Sequence, residues 1–170
     1  GKYLSIMRDF DSTDVSTNKD FQKKFNGFYR IRQRTPQFYK EYYQYLEFSK
    51  NKSIEFENVI LHFYSILGRV ESSFSSKLLA TINPNKPVWD KYVLQNLALK
   101  APAYGKSDDA SKRKRIGKIV GLYEKIEDWY SNILGLEKTR NLLIQFDDFY
   151  PNAGITDVKK IDLMLWQLRD

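Results

Sequence analysis

The chain has 170 residues, 42% hydrophobic and 29% charged, the size and composition of one globular domain with its own core rather than of a disordered segment. Cysteine is absent, which excludes disulfide scaffolds, iron–sulfur clusters and thiolate zinc sites. No apolar run approaches the roughly 20 residues that span a bilayer and no leader pattern opens the chain, so a cytoplasmic protein without a membrane partner is expected. The 28 Lys and Arg against 21 Asp and Glu leave a net charge of +7, an excess that favours a polyanion, nucleic acid first, as partner.

Residues 1–17 read as a short element plus a loop, because Asp, Ser and Thr follow closely on Tyr3-Leu4-Ser5-Ile6. From Asn18, Phe21, Phe25, Phe28 and Tyr29 recur at helical spacing, and Arg30, Arg32 and Arg34 close that helix with cations suited to its C-terminus. Thr35-Pro36 supplies a cap and a first-turn proline for a helix striped by Tyr39, Tyr42, Tyr43 and Leu46. Ser53 is the expected cap of the next, in which Phe56, Val59, Ile60, Phe63 and Leu67 share a face before Gly68. A serine-rich turn, Ser72-Ser73-Phe74-Ser75-Ser76, then leads into a short helix from Lys77 to Ile82.

Asn83-Pro84-Asn85-Lys86-Pro87 cannot be helical, since each proline lacks a donor and disfavours helix at the residue before it. A helix resumes around Asp90 and ends near Pro102, and a polar surface connection follows to Ser111. The clearest helix begins near Ile116 and carries Ile119, Val120, Tyr123, Ile126, Trp129, Tyr130 and Ile133. Two more follow, one with Leu142, Leu143, Phe146 and Phe149, the other capped by Thr156 with Val158, Ile161, Leu165 and Leu168. With no strand pattern and no repeat, these elements predict an all-α, single-domain irregular bundle of about eight helices over residues 1–170.

Phosphate-cradling Gly-rich loops, Gly-x-Ser-x-Gly elbows and His-Glu-x-x-His are absent from the chain. The single histidine, His62, has no second histidine or cysteine to share a metal with, so a structural or surface role is expected for it, and no cofactor or metal is called for.

The segment 72–93 stands apart. Ser73-Phe74-Ser75-Ser76-Lys77 precedes a proline-containing loop and then Val88-Trp89-Asp90-Lys91-Tyr92-Val93. On these residues the chain resembles the helix-hairpin-helix DNA glycosylase superfamily, which includes endonuclease III and the alkyladenine-type bacterial enzymes. That family's hairpin reads Leu-Pro-Gly-Val-Gly-x-Lys-Thr-Ala, and a later apolar-Asp-Thr-His/Tyr-Val opens another helix. The two glycines fall on Ser73 and Ser75, the apolar residue between them on Phe74, the lysine on Lys77, the aspartate on Asp90 and the following valine on Val93. Serine replaces both glycines, and the loop between Lys77 and Asp90 is shorter than in endonuclease III.

The resemblance implies a helix-hairpin-helix core at about 53–100 and a DNA-repair-type function, cleavage of the N-glycosidic bond of a damaged or modified base. It implies that Asp90 stabilises positive charge on the sugar, that Lys77 acts as nucleophile, and that Ser73, Ser75 and Ser76 meet DNA at the hairpin. Trp89, Tyr92 and Tyr104 are candidates to line a base pocket. Read without the family, Lys77 is a solvated lysine at a helix start and Asp90 a helix cap. The run Lys112, Arg113, Lys114 and Arg115 is the densest charge in the chain and is expected to contact phosphates, since cations are unfavourable at a helix start without a ligand. The competing reading is a non-catalytic nucleic-acid-binding or protein-interaction domain.

Overall fold

The computed structural model describes residues 1–168; residues 169 and 170, the end of the expected domain, lie outside the described residues. Among these the regular elements are all helices, α1 (Lys2–Ser12), α2 (Lys19–Tyr29), α3 (Pro36–Phe48), α4 (Phe56–Leu67), α5 (Ser72–Ile82), α6 (Lys91–Asn96), α7 (Asp109–Leu134), α8 (Glu137–Phe149) and α9 (Asp157–Gln167). The all-α irregular bundle is as expected. The additional helix is α1, where a short element plus a loop was expected: Tyr3, Ile6 and Phe10 lie on one buried stripe that carries the helix to Ser12, and the polar stretch 13–17 forms the turn after it.

Local chemistry explains most of the boundaries. The side chains of Asn18, Thr35, Asp90, Asp108 and Thr156 each accept an amide of the helix they open. The cap of α4 is Glu55 rather than Ser53, and Asn58 Oδ1 reaches back to the Glu55 amide at 2.8 Å. Gly68 ends α4 in the left-handed conformation, φ 62°, where a Cβ would be strained.

Three expected starts and stops differ. The serines of 72–76 form the first turns of α5 and not a turn before it, because the chain reverses within 68–71 and Ser75 N donates to Glu71 O at 2.9 Å. α7 starts at Asp109, seven residues before Ile116, because Asp108 Oδ1 accepts Ser111 N and Oδ2 accepts Ser111 Oγ, both at 2.8 Å. α6 stops at Asn96, and Ala98 follows at positive φ.

One core runs through the chain and takes side chains from every helix, with Phe21, Phe25, Tyr42, Tyr43 and Phe63 as its aromatic centre. Tyr42 stacks on Phe63 at 5.5 Å and Phe25 meets Tyr43 edge-on at 5.9 Å, geometries that contribute beyond area burial. α5 packs along α4 in the middle of the bundle, α7 crosses α4, and α9 closes over α6 and α7. α5 is buried almost all round, from Ser75 to Thr81, which is why a lysine in its second turn is withdrawn from water.

Candidate functional site

A cavity of about 590 Å³ opens between the end of α2, the start of α5, the 89–94 segment and α9. Both Lys77 and Asp90 line it. Phe28, Tyr29, Trp89, Tyr92 and Trp166 give it aromatic walls, and Arg30, Lys77, Lys91 and Arg115 give it positive charge. Among the described lining residues Asp90 is the one carboxylate. A mostly apolar concavity with a few convergent charged groups is the usual form of a small-ligand site.

Lys77 is 7% exposed, and its ammonium donates to the Tyr29 carbonyl at 3.0 Å. The solvated-lysine reading is therefore overturned, because α5 starts early enough to place Lys77 inside the bundle. Burial pushes its pKa down to about 8; Arg30 and Arg34 push the same way, while the negative charge of Asp90 opposes them. A measurable fraction of the amine is then unprotonated near neutral pH, as a nucleophile requires.

The depressed value has a consequence for stability. Between about pH 8 and the ordinary lysine pKa of 10.5 the unfolded chain holds a proton at Lys77 that the folded chain has released, so stability rises with pH over that window. From pH 7 to 9.5 this one group should contribute a gain on the order of 2 kcal/mol. Lys77→Met should remove that slope, and urea unfolding at the two pH values measures it.

Asp90 is half-buried, and its Oδ1 accepts both Tyr92 N at 2.8 Å and Val93 N at 3.0 Å. The capping reading of Asp90 thus holds, and its position on the cavity wall holds with it. The backbone before it is fixed by side chains from four helices or their caps. Thr156 Oγ1 donates to Pro84 O at 2.6 Å and Tyr123 Oη to Pro87 O at 2.7 Å. Asp162 Oδ1 accepts Val88 N at 3.4 Å and Ser76 Oγ accepts Trp89 N at 2.9 Å. Lys86 bridges Glu55 and Glu127, each at 2.7 Å.

The other expected site residues divide. Trp89 is 4% exposed and lies parallel to Phe56 at 6.3 Å, so it is a packed wall of the cavity. Tyr92 lines the cavity half-buried, whereas Tyr104, 88% exposed, stands at its rim with the Arg115 guanidinium 4.1 Å from its ring centre. Ser73 lines the cavity. Ser75 and Ser76 do not: both are fully buried, and Ser76 Oγ donates to Ser73 O at 2.9 Å. The expectation that they meet DNA is corrected, since the early start of α5 turns them into the core.

Arg115 lines the cavity and donates to Pro102 O at 3.4 Å. Lys112 donates to Gly68 O at 3.1 Å, Arg113 is paired with Asp109 at 2.7 Å, and Lys114 is exposed. The four side chains therefore do not share one direction, because successive residues of α7 point to different sides of the helix.

Arg30 and Trp166 were not foreseen at the site. Arg30 gets there as the left-handed cap of α2, at φ 55°, and Trp166 by the packing of α9, its ring 5.5 Å from Phe28 and 5.9 Å from Tyr29. Neither has a local sequence signal. His62 stacks on Tyr45 with ring centres 3.6 Å apart, and burial lowers its pKa, in keeping with a structural role. Among the described residues no group of three or more His, Asp or Glu is placed to hold a metal ion, and no helix is long and apolar enough to cross a membrane. Comparison with protein-family models, curated proteins and solved structures finds no significant match to this chain.

Proposed function

We propose that the chain is a DNA-binding protein of DNA-glycosylase type, in which the cavity receives a base turned out of the stack and Asp90 and Lys77 act on its N-glycosidic bond. The observation that carries the reading is the meeting of Lys77 and Asp90, 13 positions apart in sequence, on the wall of one aromatic cavity. As the glycosidic bond breaks, the base leaves with the bonding electrons and positive charge grows on the sugar; the Asp90 carboxylate stabilises that charge. The free amine of Lys77 attacks the sugar C1′, giving a covalent imine after ring opening. Tyr92, half-buried on the wall beside the packed Trp89 and Trp166, offers a face against which an extruded base stacks. The cations around the opening attract the phosphate backbone.

Borohydride trapping tests the lysine. On duplex DNA carrying an abasic site the parent should yield a covalent adduct, which Lys77→Met loses. Parallel assays of base release across a panel of damaged and modified bases test the aspartate. Salt-sensitive DNA binding with neither adduct nor base release would leave the non-catalytic nucleic-acid-binding reading in place.

One observation favours a protein-interaction reading. Leu142, Ile144 and Phe149 of α8 are 50%, 59% and 80% exposed, and apolar side chains exposed together mark a candidate contact surface. A stable protein complex insensitive to Lys77 and Asp90 substitutions is its test.

A further inference from the structure

Beside the aromatic cavity lies a second cleft, of about 350 Å³, formed where the α2–α3 connection, the 68–71 turn, the 104–107 stretch and the start of α7 converge. Its charged lining is Arg34, Arg69, Lys106, Lys112 and Arg115 against a single carboxylate, Glu71. The two concavities share Tyr104 and Arg115.

Within the cleft the cations outnumber the single carboxylate. Glu71 serves two guanidinium groups at once, Arg34 at 3.3 Å and Arg69 at 3.1 Å. Among the described residues no carboxylate lies within ion-pair distance of Lys106, Lys112 or Arg115. Backbone carbonyls orient Lys112 and Arg115 without neutralising them. Lys112 is held by the Gly68 carbonyl at 3.1 Å and Arg115 by the Pro102 carbonyl at 3.4 Å. Arg34 is held against the Phe74 ring, 4.6 Å from its centre.

Converging like charges repel one another, and holding them in one small concavity is stabilised by an anion that takes several donors together. Guanidinium and ammonium groups approaching from several sides suit the oxygens of a phosphate group. We propose that this cleft is a phosphate-binding site, and that it holds a backbone phosphodiester next to the nucleotide whose base enters the aromatic cavity. The second half of the proposal rests on the base-pocket reading. The first half does not. The site is built from side chains of separate segments, three of which, Arg34, Arg69 and Lys106, belong to neither the resemblance nor the 112–115 run.

The test pairs inorganic phosphate with a short DNA duplex, comparing the parent with an Arg69→Gln, Lys106→Gln variant. Both residues are exposed, so the fold should survive, and matching circular dichroism and Tm check it. Sodium phosphate added to ¹⁵N-labelled protein at constant ionic strength should shift the Gly68 and Glu71 amide signals saturably, where chloride does not, and the variant should bind at least about tenfold more weakly. A 12-base-pair duplex should bind the variant more weakly than the parent, with the slope of log K against log salt reduced by about one.

If phosphate saturates in the parent and the duplex does not bind, the base-pocket reading falls and the cleft remains a site for free or small-molecule phosphate. If the duplex binds both proteins with one affinity and one slope, the backbone assignment is overturned. Phosphate shifts no larger than those of chloride, together with an unchanged duplex slope, overturn the site altogether.

Discussion

Asp90→Asn should lower base release by about 10²- to 10³-fold while leaving the folded protein almost unchanged in stability. The two effects separate because Asp90 does two things with one side chain. Its Oδ1 caps α6 through the amides of Tyr92 and Val93, and asparagine caps a helix about as well as aspartate. Its charge is the one carboxylate among the described residues around the cavity, and asparagine removes that. Asp90→Ala should lose both, with about 1 kcal/mol of stability lost along with the cap. A third consequence distinguishes the catalytic role from a merely structural one. Asp90 raises the Lys77 pKa against burial and the nearby arginines, so the asparagine variant should hold more free amine at neutral pH. Borohydride trapping on a preformed abasic site, which needs the amine but not the developing sugar charge, should therefore persist or strengthen while base release collapses, with its acid limb moved to lower pH. An asparagine variant that kept full base release would end the role assigned to Asp90.

The sequence made the fold readable where local chemistry decides it. Thr35-Pro36, Gly68, Asn83-Pro84 and Thr156 mark boundaries in sequence and in structure alike, because a cap or a breaker acts on the residues next to it. Ser72 to Ser76 misled for a physical reason: serine is a weak helix former and suits turns, but here burial against α4 and the hydrogen bond that the Ser75 amide donates to Glu71 O outweigh that preference. Asp108 and Ser111 look like surface loop and are a helix cap, a pattern that composition alone does not separate from a connection. The candidate site was legible only as a spacing. Periodicity did not indicate that Lys77 would be buried or that Asp90 would share its cavity, nor that Arg30 and Trp166 would come to the wall, since α2 and α9 reach the site through packing alone.

The least visible feature in the sequence should have the largest effect on stability. Lys159 and Asp162 flank Lys160-Ile161 on α9 and carry no sequence signal of burial, yet they are each 1% exposed in their side chains and pair at 2.9 Å inside the core. Asp162 also accepts the Tyr130 hydroxyl at 2.5 Å and the Val88 amide at 3.4 Å, and Lys159 lies 5.9 Å from the centre of the Tyr29 ring. Burial raises the pKa of Asp162, while Lys159, which burial alone would lower, is held raised by Tyr29, by its Asp162 partner and by Tyr3. Removing one partner leaves the other charge buried without compensation, which costs about 3–5 kcal/mol. Asp162→Asn keeps an oxygen for Tyr130 and Val88 but offers Lys159 no charge, so it should lower Tm by on the order of 10 °C in a chain of this size. Lys159→Met with Asp162→Leu should recover part of the loss, because the orphaned charge is gone while the Tyr130 hydroxyl and the Val88 amide stay unmatched. The same substitutions reach the site: Val88 is two residues before Asp90, and a loosened 87–89 backbone moves the carboxylate relative to Lys77. Urea unfolding of the two single variants and the double variant measures the coupling, and an Asp162→Asn protein within about 1 kcal/mol of the parent would show that the pair does not hold the core together.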